Sequence, residues 1–347
     1  MMPKSDIKDM SQDQLAAWLE KRGIASYRAP QILKWIYLRQ ADEFEGMTDL
    51  SKEIRTLLDS QFSINRLEKN RVEKSRDGSK KYLFRLPDGN VIENVLIPER
   101  DHYTLCISSQ VGCALGCRFC LTGRGGLSRN LTSGEIISQV RDIQKDLDEP
   151  KSLTNIVLMG MGEPLANYEN VVKAIHTLTD TTLGLGFSNR KVTLSTSGLV
   201  DRLPDLGRDT TVSLAISLNA TDNKIRDWLM PINKKYPIET LLEACRRYPL
   251  KPHRRITFEY ILLKGVNDSA KDARQLAKLL RSTRAKINLI PFNPFENSEF
   301  QRPDESVINR FQQILLSNNY TAIIRRSKGQ DISAACGQLK GHHRQAH

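Results

Sequence analysis

The sequence predicts an α/β fold: a parallel sheet closed or partly closed into a (β/α)6 barrel, preceded by a small helical domain and a short β-hairpin extension. Two observations carry this. From Thr104 onward, short β-branched apolar runs alternate with helical patterns of about 10 to 15 residues, the mark of repeated β-α units. The segments rich in glycine, serine and asparagine collect at the carboxyl ends of those runs, the rim on which α/β barrels build active sites.

Residues 1–62 read as a helical accessory domain. Ser11 with Gln14 three residues on forms a capping box, Leu15, Ala16, Trp18 and Leu19 give an apolar face, and Gly23 ends the helix. A second helix is expected at 29–39, with Pro30 in its first turn, and a third at 51–60. Arg22, Arg28, Lys34 and Arg39 surround these helices, which makes the unit a candidate RNA contact. Residues 63–100 switch to strand character, with Asp88-Gly89 between the alternating runs 81–86 and 91–98 and a second turn at Asp77-Gly78. The core barrel spans 101–327. Its strands are expected at 104–108, 155–159, 191–195, 212–218, 255–263, 286–290 and 320–325, and its helices at 133–147, 168–179, 238–248, 270–281 and 305–317. Residues 328–347 form a Gly- and Ala-rich tail in which Cys336 is expected to be a mobile, reactive thiol and His342, His343 and His347 a disordered end.

Charge and cysteine usage narrow the class. Lys and Arg number 52 against 40 Asp and Glu, a net +12, with a pI near 9.4; this favours a polyanionic partner, RNA before DNA before an acidic membrane. Six cysteines without a leading hydrophobic segment point to a reducing cytoplasm, and no apolar run approaches bilayer-spanning length.

Cys113, Cys117 and Cys120 are spaced x3 and x2 in a loop that also holds Gly112 and Gly116. A structural zinc site wants four closed ligands, and the nearest fourth candidates, His102 and Cys106, sit at the wrong spacing. Three thiolates around a cluster with one iron left open fit better. The arrangement resembles the CxxxCxxC signature of the radical S-adenosylmethionine (SAM) superfamily, including Phe119 before the last cysteine. That resemblance implies a [4Fe-4S] cluster whose unique iron chelates the methionine end of SAM.

Further motifs narrow the resemblance. Cys106-Ile-Ser-Ser-Gln-Val-Gly-Cys113, Gly160-Met-Gly-Glu-Pro164, Val192-Thr-Leu-Ser-Thr-Ser-Gly198, Met230-Pro-Ile-Asn-Lys-Lys235 and Ala334-Ala-Cys336-Gly-Gln-Leu339 together resemble the RlmN/Cfr family of radical SAM RNA adenine methyltransferases. The family implies methylation of C2 of adenine in 23S rRNA and, for the RlmN branch, in tRNA, with two SAM used per turnover. C2 is an electron-poor carbon bearing hydrogen, so it cannot attack a sulfonium methyl group as a nitrogen would. By resemblance, Cys336 carries the methyl group as a methylated cysteine, Cys106 resolves the protein–RNA adduct by forming a disulfide with Cys336, and Glu93 is the base that removes the C2 proton. SAM contacts carry over to Gly162 and Glu163 near the methionine amine, to Ser195, Ser217, Leu218 and Asn219 near ribose and carboxylate, and to Asn293 near the adenine. The family usually has histidine where this chain has Asn219, so that side-chain contact departs from the pattern. The same resemblance implies an electron donor such as flavodoxin or ferredoxin and a monomeric enzyme.

Two other functions share these residues: C8 methylation of adenine by the same apparatus, and a non-catalytic, metal-stabilised RNA-binding protein. Around the adenine, Arg124, Arg129, Arg254, Arg255, Arg325, Arg326, Lys328 and Lys340 are expected at the rim and tail, placed to meet an RNA backbone. Cys245 reads as a buried helical residue.

Overall fold

A computed structural model describes residues 4–341; His342, His343 and His347 lie outside the described residues. The strands are β1 (Ser5–Asp6), β2 (Phe62–Ser63), β3 (Glu68–Lys74), β4 (Lys80–Arg85), β5 (Val91–Pro98), β6 (Tyr103–Cys106), β7 (Gln110–Gly112), β8 (Leu127–Asn130), β9 (Leu153–Leu158), β10 (Val192–Thr196), β11 (Ser213–Ser217), β12 (Ile256–Leu262), β13 (Ala285–Pro291) and β14 (Ala322–Ile324). The helices are α1 (Gln12–Glu20), α2 (Arg28–Tyr37), α3 (Lys52–Gln61), α4 (Leu121–Arg124), α5 (Ser133–Lys145), α6 (Tyr168–Thr179), α7 (Leu203–Asp209), α8 (Asn223–Leu229), α9 (Ile238–Arg247), α10 (Ala270–Leu279) and α11 (Glu305–Ser317).

Ten strands form one sheet in the order β14-β13-β12-β11-β10-β9-β6-β5-β4-β3. From β6 to β14 every pairing is parallel, because each strand returns through a helix. The expected hairpin is real but not separate. The strands β3, β4 and β5 pair antiparallel and β5 continues onto β6, so the extension lengthens the barrel sheet. Gly78 and Gly89, at φ +86° and +84°, make the two turns that the Asp-Gly pairs require.

The helical unit is tied to the barrel by buried polar contacts. Asp9 caps the start of α5 from outside, accepting from the Gly134 N–H at 2.7 Å. Arg66 bridges Asp42 and Asp142, each at 2.6 Å, and the fully buried Arg141 donates to the Ala41 carbonyl. Ser11 and Gln14 form the expected capping box. Cys245 is buried in α9.

The tail is docked rather than loose. Asp77 accepts from the Gly329 N–H, Asp331 accepts from Ser75 and from the Arg76 N–H, and Lys328 donates to the Pro98 carbonyl. Further on, Leu121 donates to the Gly337 carbonyl at 2.8 Å, Thr122 to that of Leu339 at 2.6 Å, and Gln338 to that of Pro294. The expectation of a mobile Cys336 is therefore corrected: side chains from the β3–β4 turn, α4 and the loop after β13 hold its segment across the barrel mouth.

Candidate active site

The strand ends and their loops line a half-open cavity at the barrel mouth. The thiols of Cys113, Cys117 and Cys120 form one wall and Cys336 another. The cysteine loop turns tightly because Gly112 and Gly116 take φ +79° and +64°, a region costly for other residues. Gly123 lets the loop close on itself, since a Cβ there would meet the Cys117 backbone nitrogen at 3.0 Å.

Burial, with neighbouring thiols and Glu163 adding to it, pushes Cys113 up to about 12 and Cys117 higher still. Thiols so disposed need a positive centre before they ionise. Among the described residues, no three His, Cys, Asp or Glu side chains converge where a single ion could sit. The three thiols line one cavity, and three thiolates are a donor set that an iron-sulfur cluster with one open iron would take. His102 lies at the opposite end of β6 from the mouth, bonded to Asp101 and Asn155, so it cannot complete a metal site with them.

The Gly160–Pro164 loop is laced to the end of β6. Met161 receives a bond from Ser109 and donates to Ser108, while the Glu163 N–H donates to Gln110. At Gly162 φ is +100° and a Cβ would meet Gln110 at 2.5 Å, so only glycine fits. The buried Glu163 carboxylate accepts from the Leu165 and Ser197 N–H groups. A carboxylate offers about four acceptor positions, which leaves capacity for an ammonium group. Burial pushes this carboxyl up and the two backbone bonds oppose that shift.

Ser195, Ser217 and Asn219 line the same cavity; Leu218 between them is fully buried and is not on its wall. Asn219 takes φ +59°, which asparagine tolerates better than most residues. Its side chain accepts from the Ile261 N–H and approaches the Met230 sulfur, so the residue locks the strand end as well as facing the cavity. Asn293 is off the cavity wall and is engaged with the tail, accepting from Gln330 and reaching the Cys336 carbonyl.

Cys336 retains exposed surface, and that surface opens into the cavity, where protein encloses the thiol. Burial, reinforced by the Glu259 carboxylate and relieved by Arg325, pushes it up to about 11. Cys106, buried at the end of β6, is pushed up by burial and then by the nearby Cys336 thiol. Glu93 is buried too, and accepts from the Lys340 N–H of the tail at 3.3 Å.

Two residues escaped sequence reasoning. Glu259 lines the cavity in mid-strand and accepts from Ser195 at 3.2 Å; a lone acid inside the apolar run Ile256–Leu262 was the signal for it. Arg226 is fully buried and donates to the carbonyls of Leu218, Ser217 and Ser197 and to Asn233. It ties three loops of the mouth together, and no pattern in α8 announces it. Of the expected rim cations, Arg129 is spent on Asp88 and Glu135, and Lys328 faces Glu99. Arg254 and Arg255 precede β12, so they lie at the opposite end of the strand from the rim, which corrects their expected position.

A parallel barrel whose mouth gathers a CxxxCxxC thiol triad on one cavity with the strand-end motifs defines a radical SAM enzyme. In agreement, residues 107–278 match the Radical SAM superfamily, and residues 5–64 match the ribosomal RNA large subunit methyltransferase N-terminal domain. The chain belongs to the RlmN family. It is 59% identical over 334 residues to the dual-specificity RNA methyltransferase RlmN of Desulfosudis oleivorans, covering 96% of this chain and 90% of that one. The RlmN of Geobacter sulfurreducens is 54% identical, covering 97% and 92%. A crystal structure of a radical SAM methyltransferase from Sphaerobacter thermophilus superposes with a TM-score of 0.90 at 44% identity, covering 97% of this chain and 99% of that one.

Proposed function

We infer that this radical SAM enzyme, which uses a [4Fe-4S] cluster and SAM, methylates C2 of adenine in 23S rRNA and in tRNA through a methylated Cys336. The observation that carries the reading is the position of Cys336 on the wall of the cavity that also holds the three cluster cysteines. Cys113, Cys117 and Cys120 would hold the cluster, and Gly162, Glu163, Ser195, Ser217 and Asn219 would seat SAM. When bound, these groups supply the methyl group and, by one-electron cleavage of the sulfonium, a 5′-deoxyadenosyl radical.

The chain's own residues do the rest. Cys336 holds the methyl carbon against the adenine, on a segment clamped by Thr122, Gln338 and Asn293. Cys106, buried at the end of β6 near Cys336, would become its disulfide partner and free the RNA. Glu93, buried beneath Lys340, takes the C2 proton. Leu218 supports the site from behind the wall, and Asn293 acts through the tail.

The division into 1–62, 63–100, 101–327 and 328–347 follows these roles, with the first unit touching RNA. There Arg22, Arg28 and Arg39 stack on Trp18, Tyr27 and Trp35, surfaces suited to unpaired bases. Among the described residues no helix is long and apolar enough to cross a membrane. A small redox protein of the flavodoxin or ferredoxin kind would supply electrons to a monomer acting in the cytoplasm.

The test is Cys336→Ala in the full protein. Iron content is expected to stay at the wild-type level while RNA methylation is lost; continued turnover would remove Cys336 from its role. Mass spectrometry of the RNA should find 2-methyladenosine, and 8-methyladenosine alone would overturn the C2 assignment.

A further inference from the structure

Four cations cluster at the ends of β12, β13 and β14 near the open edge of the barrel, with the Glu259 carboxylate acting on one of them, Arg325. Arg254, Arg255, Lys286 and Arg325 form no ion pair among the described residues, although 24 such pairs occur elsewhere. Arg254 donates only to the Ser213 hydroxyl and Arg255 only to that of Thr321. Partial burial and then the guanidinium groups of Arg325, Arg254 and Arg255 push the Lys286 ammonium down, so the four charges repel one another. Beside them, Lys251, Arg254, Arg255, Ser213 and Thr210 line a shallow second hollow. Four like charges beside a single buried carboxylate are costly to hold together unless an anion completes the cluster.

The strand register connects this edge to the active site. Glu259 on the cavity wall pairs with Asn288 on β13, and Asn288 pairs with Ile323 on β14. Cross-strand partners point to the same face, so Glu259, Asn288 and Ile323 form a row from the cavity to the sheet edge. Two strand spacings make that row about 10 Å long. Alternation puts Lys286 and Arg325 on the same face, two residues to either side of the row. At its outer end Ile323 is 45% exposed, an apolar side chain on the same face as Lys286 and Arg325.

We propose that the single-stranded RNA flanking the target adenine docks on this edge, its phosphates on Arg254, Arg255, Lys286 and Arg325 and a neighbouring base against Ile323. The proposal rests on the RNA-methylating function and adds where the strand enters. An adenine turned out of its stack spans the row and reaches the cavity, while the backbone stays outside on the cations. RNA is favoured over a compact anion because the charges are spread over the ends of three neighbouring strands and share a face with an exposed apolar side chain, the pairing used for unpaired nucleotides.

The experiment is fluorescence anisotropy of a labelled, adenine-bearing RNA stem-loop titrated with full-length protein at several salt concentrations. Arg255→Glu with Lys286→Glu is expected to weaken binding at least tenfold and to flatten the log affinity against log salt line by about 1.5, the share of two phosphate contacts. Ile323→Asp should weaken binding with little change in that slope from lost counterion release. Arg255→Gln with Lys286→Gln serves if the reversals lower the thermal midpoint. Wild-type affinity and slope in these variants would overturn the placement, as would loss of binding confined to Arg22→Glu with Arg39→Glu. Failure of the unaltered protein to bind the stem-loop would instead refute the RNA function itself.

Discussion

At Gly162 the requirements of the site reduce to the absence of one carbon. Its φ of +100° and the 2.5 Å approach of Gln110 leave no room for a side chain, and the following Glu163 depends on that turn. Gly162→Ala is expected to cost about 2 to 4 kcal/mol in denaturant unfolding, from overpacking and backbone strain together. SAM affinity should fall with it, and an unchanged midpoint would show that the loop relaxes freely. The glycine was legible in the sequence as part of Gly160-Met-Gly-Glu-Pro164. Arg226 was not, because a buried guanidinium satisfied by carbonyls from the ends of two other strands leaves no periodic trace in its own helix.

Elements show a similar division. The hydrophobic and turn patterns located the strands of the barrel to within about two residues, since each needs only its own side chains to bury. The ribbon of β7 with β8 had no such signal; its residues pair across the cysteine loop, and its pattern is too short to read. The tail misled for the opposite reason. Its small residues carry no packing pattern, yet it is fixed by hydrogen bonds to distant elements. Asp331→Ala removes the acceptor of Ser75 and of the Arg76 N–H. Alkylation of Cys336 by iodoacetamide should then run several-fold faster than in the unaltered protein, and an equal rate would mean the clamp at Thr122 and Gln338 suffices alone.

For the whole molecule, the joint between the helical unit and the barrel should be sensitive to acid. Partial burial raises the Asp42 carboxyl, but hydrogen bonds from Lys145 and Arg66 outweigh it and hold the group below its ordinary value. A carboxyl depressed by folding stabilises above its unfolded pKa of about 4 and loses that contribution as pH falls through the folded value. Amide exchange across α3 and the Arg66 segment is therefore expected to accelerate below about pH 4, ahead of strands β9 to β12. Uniform acceleration would argue that the joint does not depend on Asp42. What the sequence by itself determined was the set of groups: the thiol spacing, the strand-end motifs and the Ala334–Leu339 motif that holds Cys336 are local and could be read in order. What only the tertiary structure decided was which groups meet. The clamp on the tail, the approach of Glu259 to both reactive thiols and the unpaired cations of the open edge arise where residues far apart in the chain are brought together by strand register and packing, which no local pattern records.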